Sequence, residues 1–134
     1  MNVFVILSHA LSDEQRHELQ SRFRPEKIME LPEELKTIWM NIPPAGDWNP
    51  AWIQDLTGWL EKQLSPGDIA IVQGEFGATY YMVNWFKRKG HKVYYATTER
   101  KVTEVKQPDG SVEIKRVFRH VNFREYPSDL LSSR

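Results

Sequence analysis

The sequence has no cysteine among its 134 residues, which excludes disulfide bonds and thiolate metal sites. It also has no long apolar run, because no stretch approaches the ~20 apolar residues that a membrane-spanning helix needs. The first apolar run, residues 3–7, is too short for a signal peptide and has no basic segment before it. The four histidines are scattered without the spacing of metal ligands. These absences predict a soluble cytoplasmic protein that uses neither a metal nor another cofactor.

Composition predicts one folded domain whose charge is unevenly distributed. Hydrophobic residues make up 40% and charged residues 27% of the chain, a balance typical of globular domains. The net charge is zero, yet residues 1–86 hold 6 Lys and Arg against 12 Asp and Glu, whereas residues 87–124 hold 11 against 4. Such segregation can steer an anion toward the basic part. It is equally compatible with attraction between the two halves, or between two copies of the chain.

Apolar runs and amphipathic stretches alternate along the first hundred residues. Ser12 and Gln15 have the spacing of a capping box, and Gly90 has that of a helix C-cap. The predicted strands are 2–8, 27–31, 68–74 and 91–98, and the predicted helices are 12–23, 32–39, 50–64 and 76–89. This order predicts an α/β fold with a mostly parallel sheet that has helices on both faces.

A stripe of large apolar residues begins just before the third predicted helix and continues along it. Its members recur at steps of three and four residues: Trp48, Trp52, Leu56, Trp59, Leu60 and Leu64. We interpret this stripe as part of the core or of a dimer interface, in preference to a ligand-binding surface.

The C-terminal part reads as a β-hairpin that turns at Pro108-Asp109-Gly110. The period of two residues divides its second strand into two faces. One face carries Arg116, Phe118, His120, Asn122, Arg124 and Tyr126. We expect the other face to lie against the core, with Val117, Arg119, Val121, Phe123 and Glu125. The domain is expected to span residues 1–126, and residues 127–134 are expected to form a frayed tail.

Polar and glycine residues follow three of the predicted strands. The three groups are Ser8-His9, then Gln73-Gly74-Glu75-Phe76-Gly77, then Thr97-Thr98-Glu99-Arg100. Because ligands bind outside the carboxyl ends of parallel strands, we expect these groups to meet at one rim of the sheet. Their chemistry suits a pocket for nucleotide phosphates.

The turn from Gly74 to Gly77 leads into a helix whose first amides can bind an anion. It lacks the third glycine of a dinucleotide fingerprint and the Gly-Lys-Ser/Thr of a P-loop, so taken alone it favours a plain structural turn over a phosphate site. The tip at 97–100 offers two hydroxyls, a carboxylate and a guanidinium, which suit ribose and phosphate oxygens. The alternative for this tip is a surface pair between Glu99 and Arg100 that contributes little.

Histidines and arginines complete the candidate site. His9 can transfer a proton near neutral pH, or it can be a rim residue without a role. On the hairpin, His120, Arg124 and Arg116 can contact phosphates. The alternative for the hairpin charges is that they keep an edge strand from pairing with another chain.

Four stretches resemble a known family in sequence and in order: VILSHALSDEQ, GDIAIVQGEFGATYYMV, YYATTERKVTE and VFRHVNFREY. Together they are similar to small stand-alone CRISPR-associated proteins of type III systems, which are relatives of CARF domains without an effector. The resemblance implies a Rossmann-like homodimer that acts as a ring nuclease. Such proteins bind cyclic oligoadenylate, a second messenger of the antiviral response, and cut it to linear products.

Under this resemblance the expected catalytic residues are His9, Arg100, Glu75 and Glu99. The expected ligand-binding residues are Ser8, Gln73, Gly74, Phe76, Gly77, Thr97, Thr98, His120 and Arg124. The 2′-hydroxyl of the substrate would be the nucleophile, without a metal ion. A module that binds the cyclic nucleotide without cutting it, and an adaptor that uses the tryptophan stripe, remain alternatives.

Overall fold

A computed structural model describes residues 1–128, so most of the tail expected at 127–134 lies outside the described residues. The described chain forms one five-stranded sheet with the order β2-β1-β3-β4-β5. Its strands are Val3–Leu7 (β1), Ile28–Glu30 (β2), Ile69–Gln73 (β3), Val93–Lys106 (β4) and Val112–Glu125 (β5). The first four strands are parallel and β5 is antiparallel to β4. The predicted α/β class with a C-terminal hairpin is confirmed.

The helices begin and end close to the predicted bounds. They are Asp13–Glu18 (α1), Glu33–Met40 (α2), Gln54–Gln63 (α3) and Phe76–Arg88 (α4). A π-helical turn at Leu19–Phe23 continues α1, and a 3₁₀ turn at Pro50–Ile53 precedes α3. The capping box of Ser12 and Gln15 is present at the start of α1. No helix in residues 1–128 is long and apolar enough to cross a membrane.

Two apolar clusters pack against opposite faces of the sheet. Alternate residues of β1 divide between them, since Phe4 and Ile6 join the cluster formed with α2, α3 and α4, whereas Val5 and Leu7 join the one formed with Leu19. A strand buried on both faces must be apolar at every position, which explains the continuous run in the sequence. The tryptophan stripe belongs to the first cluster: Leu56 and Leu60 are buried, and Trp48, Trp59 and Leu64 pack at its margin.

The strands β4 and β5 extend far beyond the other three. Backbone pairing of β3 with β4 ends at Ile71 and Tyr94, whereas β4 and β5 remain paired to Lys106 and Val112. We call residues 98–119, which project past the carboxyl edge of the sheet, the arm. At the rise of a β-strand the arm is about 30 Å long. Its turn contains Gly110 at φ 87°, as the sequence predicted.

A β-bulge at the root of the arm overturns the predicted core face of β5. Thr97 is opposite Asn122, but Thr98 is opposite His120, so Val121 is an extra residue in β5. An extra residue reverses the alternation of side chains beyond it. Phe123 is buried as predicted, whereas Val121 is 54% exposed and Val117, nearer the turn, is 53% exposed.

The bulge places His120 on the same side of the sheet as Phe123, where both meet α1. The Glu18 carboxylate accepts hydrogen bonds from the Phe123 amide at 2.9 Å and from Arg22 at 3.1 Å, and its other oxygen lies 2.7 Å from His120 Nε2. The His120 side chain is only 7% exposed. Glu18 therefore fixes the root of the arm to the body of the protein.

These contacts make stability depend on the ionisation of Glu18. Burial by itself would raise the pKa of the Glu18 carboxyl, but the Phe123 amide, His120 and Arg22 together hold that pKa below its ordinary value of 4.5. A carboxyl whose pKa is lowered by folding contributes stability above its unfolded pKa and loses it as the pH falls through the folded pKa. We expect the unfolding free energy of the protein to fall below about pH 4.5 partly for this reason.

A Glu18→Gln variant tests this contribution. It should be less stable at neutral pH by about 1–3 kcal/mol, because the buried donors lose a charged acceptor, and its stability should fall less steeply in acid. Urea unfolding followed by circular dichroism between pH 7 and 3 measures both effects. Glu14→Gln, on the exposed side of the same helix, is the control. Equal pH profiles for Glu18→Gln and the unaltered protein would contradict this role.

Candidate functional site

The candidate site lies at the carboxyl edge of the sheet, between β1 and β3. These strands are neighbours, with Leu7 opposite Gln73. After β1 the chain turns to α1, which packs on one face of the sheet, and after β3 it turns to α4, which packs on the other. Ligands of open α/β sheets bind at a reversal of this kind, and we call the edge of the sheet between Ser8 and Gly74 the crevice. Ser8 and Gly74 begin the two walls of this crevice.

The end of β3 is joined to β4 by a side chain. Gln73 Oε1 accepts a hydrogen bond from the Ala96 amide at 2.8 Å, and its Nε2 is 3.5 Å from the Ala96 carbonyl. The side chain thus replaces the backbone pairing that ends at Ile71 and Tyr94. The ends of β1 and β3 therefore lie beside β4, which continues past them, and the Gln73 side-chain oxygen is occupied in holding the sheet together.

Position 74 requires a glycine for a packing reason that the sequence did not reveal. The indole Nε1 of Trp39 donates a hydrogen bond to the Gln73 carbonyl at 3.0 Å, and its ring lies against Gly74. A Cβ at position 74 would be 2.6 Å from Trp39 Nε1, which is closer than non-bonded atoms come. Trp39 is 1% exposed, so its ring is enclosed by neighbouring atoms. A buried indole N–H requires an acceptor, but the sequence gives no means of identifying a carbonyl 34 positions away.

Glu75 and Phe76 form the wall of the crevice at the start of α4. Glu75 is the N-cap of this helix, and its Oε1 accepts a hydrogen bond from the Ala78 amide at 2.8 Å. The remaining first-turn amides, at Phe76 and Gly77, have no partner within the helix because no preceding turn exists. The Phe76 side chain is 94% exposed. The predicted anion site at this helix end thus already contains one carboxylate.

Tyr126 lies beside Gly74 and Phe76 and was not predicted as a site residue. Its hydroxyl donates to the Val72 carbonyl at 2.6 Å. Burial, with a smaller contribution from Tyr95, raises the pKa of Tyr126 to about 12, so the phenol stays protonated and remains a donor. An apolar cleft of about 370 Å³ lies beside it and is lined by Gly74, Phe76, Thr79, Tyr80, Val83 and Tyr126.

The stretch 97–100 is part of a continuous strand, so the predicted strand end and tip at this place are wrong. The reason is that β5 continues to pair with β4 after β3 has ended. Thr97 Oγ1 contacts Asn122, and Glu99 lies 3.7 Å from Lys101. Thr98 and Arg100 alternate with Glu99, so they share the opposite face of the arm, and both are exposed.

The remaining predicted residues occupy different surroundings. His9 is exposed beside β1, with Nδ1 2.9 Å from the Ala10 carbonyl. His120 is buried against Glu18. Arg124 lies over the Tyr95 ring at 5.8 Å, and its Nη1 is 3.3 Å from the Tyr95 hydroxyl. Among residues 1–128, no three His, Asp or Glu side chains are grouped as metal ligands.

Comparison with known proteins identifies relatives over nearly the whole chain. The model of a family described as "Uncharacterized protein MJ1673 family" matches residues 1–124, which include the sheet, the crevice and the arm. The protein described as "Uncharacterized protein MJ1673" from Methanocaldococcus jannaschii is 36% identical over 124 residues, which cover 92% of this chain and 95% of that protein. No solved structure matches the chain.

Proposed function

The chain belongs to the MJ1673 family, and we propose that it is a ring nuclease that binds cyclic oligoadenylate and cleaves it without a metal ion. The observation that supports this proposal best is the crevice between β1 and β3. It combines the first amides of α4 with His9 on its other wall, and β4 carries Arg100 past the same edge of the sheet. The resemblance of the sequence to stand-alone CRISPR-associated ring nucleases supplies the class of ligand.

Binding of the messenger is proposed to use charge and hydrogen-bond donors. The unpaired amides at Phe76 and Gly77 suit a phosphate, since the N-terminus of a helix carries a partial positive charge. Arg100 and Thr98 on the arm provide donors for a second phosphate. Residues 87–124, with 11 basic against 4 acidic side chains, attract the anion.

The proposed chemistry is an attack by a ribose 2′-hydroxyl on the adjacent phosphorus. A bond forms between O2′ and phosphorus, the bond from phosphorus to O5′ breaks, and the products end in a 2′,3′-cyclic phosphate and a 5′-hydroxyl. The proton leaves O2′ and another proton reaches O5′. In this scheme His9 transfers a proton and Arg100 stabilises the charge on the phosphorane. Of the two candidate carboxylates, Glu75 is favoured for orienting the 2′-hydroxyl, because it borders the crevice.

A symmetric ring suits a symmetric site, so we propose that two copies of the chain bind one messenger. The reaction is proposed to take place in the cytoplasm. Ser8 and Thr97 are assigned to ligand contacts at the rim. Gln73 and His120 are assigned indirect roles, since Gln73 joins β3 to β4 and His120 holds the arm to Glu18.

A direct cleavage assay tests the proposal. The purified protein, in excess over cyclic oligoadenylates of several ring sizes, is incubated with EDTA, and the products are separated by chromatography. We expect linear products that end in a 2′,3′-cyclic phosphate. Tight binding of a ring that is recovered intact after long incubation would favour the non-catalytic module. Absence of binding to every ring in calorimetry would reject both.

A further inference from the structure

The arm exposes more apolar surface than a free β-hairpin tolerates. Its two strands pair with each other and, past the end of β3, with nothing else in residues 1–128. An isolated two-stranded ribbon is marginally stable in water and needs a third strand or a packed face. Large apolar side chains on the arm nevertheless remain more than half exposed: Val102, Val112, Ile114, Val117 and Phe118. The arm therefore has the composition of a segment that is covered by a partner.

The register assigns most of this apolar surface to one face. Arg100 is opposite Phe118, Val102 is opposite Arg116, Glu104 is opposite Ile114 and Lys106 is opposite Val112. Residues directly opposite each other share a face, so this face combines four of the large apolar side chains with three basic residues and one acid. We call it the apolar face of the arm. The other face holds Val117 beside Lys101.

The body of the protein has a matching surface at the same end of the sheet. Among the described residues outside the arm and its bulge, the large apolar side chains that remain exposed are Met1, Met40, Phe76 and Tyr80. Phe76 and Tyr80 are four positions apart on α4, so they are adjacent on one side of the helix. Phe76 is 94% and Tyr80 is 75% exposed, and an apolar cleft lies next to them. We call this pair the α4 ridge.

We propose that the apolar face of the arm docks on the α4 ridge of a second copy of this chain. Every copy has one arm and one ridge, so a two-fold axis would make both contacts at once. The arm is a ribbon about 30 Å long and two strands wide. Each copy would bury one arm and one ridge, roughly 600–800 Å² in total, which is close to the ~800 Å² per partner of stable interfaces. Local charge favours contact of the basic arm face at the Phe76 end of the ridge, where Glu75 is the adjacent residue, and not at the Tyr80 end, which adjoins Lys87 and Arg88.

This dimer changes the composition of the candidate site. The ridge begins at the wall of the crevice, so a docked arm brings Arg100 and Arg116 of one copy to the crevice of the other. Only this consequence rests on the proposed nuclease function. The docking itself depends on burial and register, and its test uses no nucleotide.

Two valines of similar exposure provide a matched test. Val102 is 58% exposed on the apolar face, and Val117 is 53% exposed on the other face, one residue pair away. We expect the unaltered protein to sediment as a dimer and Val102→Asp to raise the dimer dissociation constant at least about 30-fold, as for a central interface residue. Val117→Asp should leave the constant within a few-fold. A monomeric unaltered protein, or equal effects of the two variants, would overturn the proposal.

Cross-linking provides a second measurement that does not depend on how well these variants fold. Because the chain has no cysteine, a Phe76→Cys, Phe118→Cys double variant has only the two introduced thiols. A short bismaleimide should convert it to a covalent dimer, whereas a Phe76→Cys, Val117→Cys double variant should remain mostly monomeric in denaturing gels. Cross-links within a single chain, or equal yields from both double variants, would show that the arm does not reach the partner's ridge.

Discussion

Replacing Gly74 with alanine is expected to destabilise the protein by about 3 kcal/mol, at the upper end of the usual cost, because the added methyl group overpacks a filled site. The new Cβ would lie 2.6 Å from Nε1 and 2.7 Å from Cε2 of Trp39. Trp39 cannot yield without losing its hydrogen bond to the Gln73 carbonyl. For a chain of this length the expected loss corresponds to a Tm lower by roughly 10 °C. Thermal unfolding followed by circular dichroism measures it.

Gly58→Ala is the matched control for this substitution. Gly58 lies inside α3, and a Cβ there would meet nothing within 4 Å. Alanine is favoured over glycine inside a helix by about 1 kcal/mol, so this variant should be as stable as the unaltered protein or more stable. A Gly74→Ala protein that unfolds at the same temperature as Gly58→Ala would show that Trp39 can move, and would remove the packing reason for Gly74.

Replacing Arg100 with alanine is expected to slow single-turnover cleavage of cyclic oligoadenylate by about 10²–10³-fold. Removal of one donor that stabilises the charge of a transition state has an effect of this size in other enzymes. The fold should be unaffected, since Arg100 is exposed and forms no ion pair with another residue of 1–128. The rate constant is measured with protein in excess, so that product release does not contribute. Binding of the intact ring, measured by calorimetry, should weaken much less than the rate falls.

Lys101→Ala separates a specific role of Arg100 from the general charge of the arm. Lys101 is the next residue and has the same charge, but it lies on the other face of β4, 3.7 Å from Glu99. Its loss should change the rate by less than about tenfold, because an exposed charge acts mainly on encounter with the anion. Equal losses for the two variants would reduce Arg100 to a general electrostatic contribution.

The sequence was sufficient to predict the elements that depend on neighbouring residues. The capping box of Ser12 and Gln15, the left-handed conformation of Gly90 and the turn at Gly110 are all found where local patterns placed them. The parallel sheet followed from alternating strands and helices, and its class is confirmed. The convergence of Ser8 and Gly74 at one edge followed from the same alternation, because parallel strands end together.

Residues that depend on distant partners were not predictable in the same way. The bulge at Val121 reversed the expected faces of β5 and placed His120 against Glu18, 102 positions away. The sequence also gave no sign that Gln73 would hydrogen-bond to Ala96 or that Trp39 would cover Gly74. Each of these depends on which atoms lie nearby after the chain has folded.

Local propensity and hydrophobic period act over a few residues, so the sequence by itself determined the helices, the turns, the strands apart from the end of β4, and the absence of cysteine chemistry. Register, bulges and side-chain partners depend on contacts between segments far apart in the chain, and only the tertiary structure decided them. It therefore decided that Gln73 and His120 support the sheet and the arm. It also decided that the arm extends from the carboxyl edge, with its apolar face uncovered in a single copy.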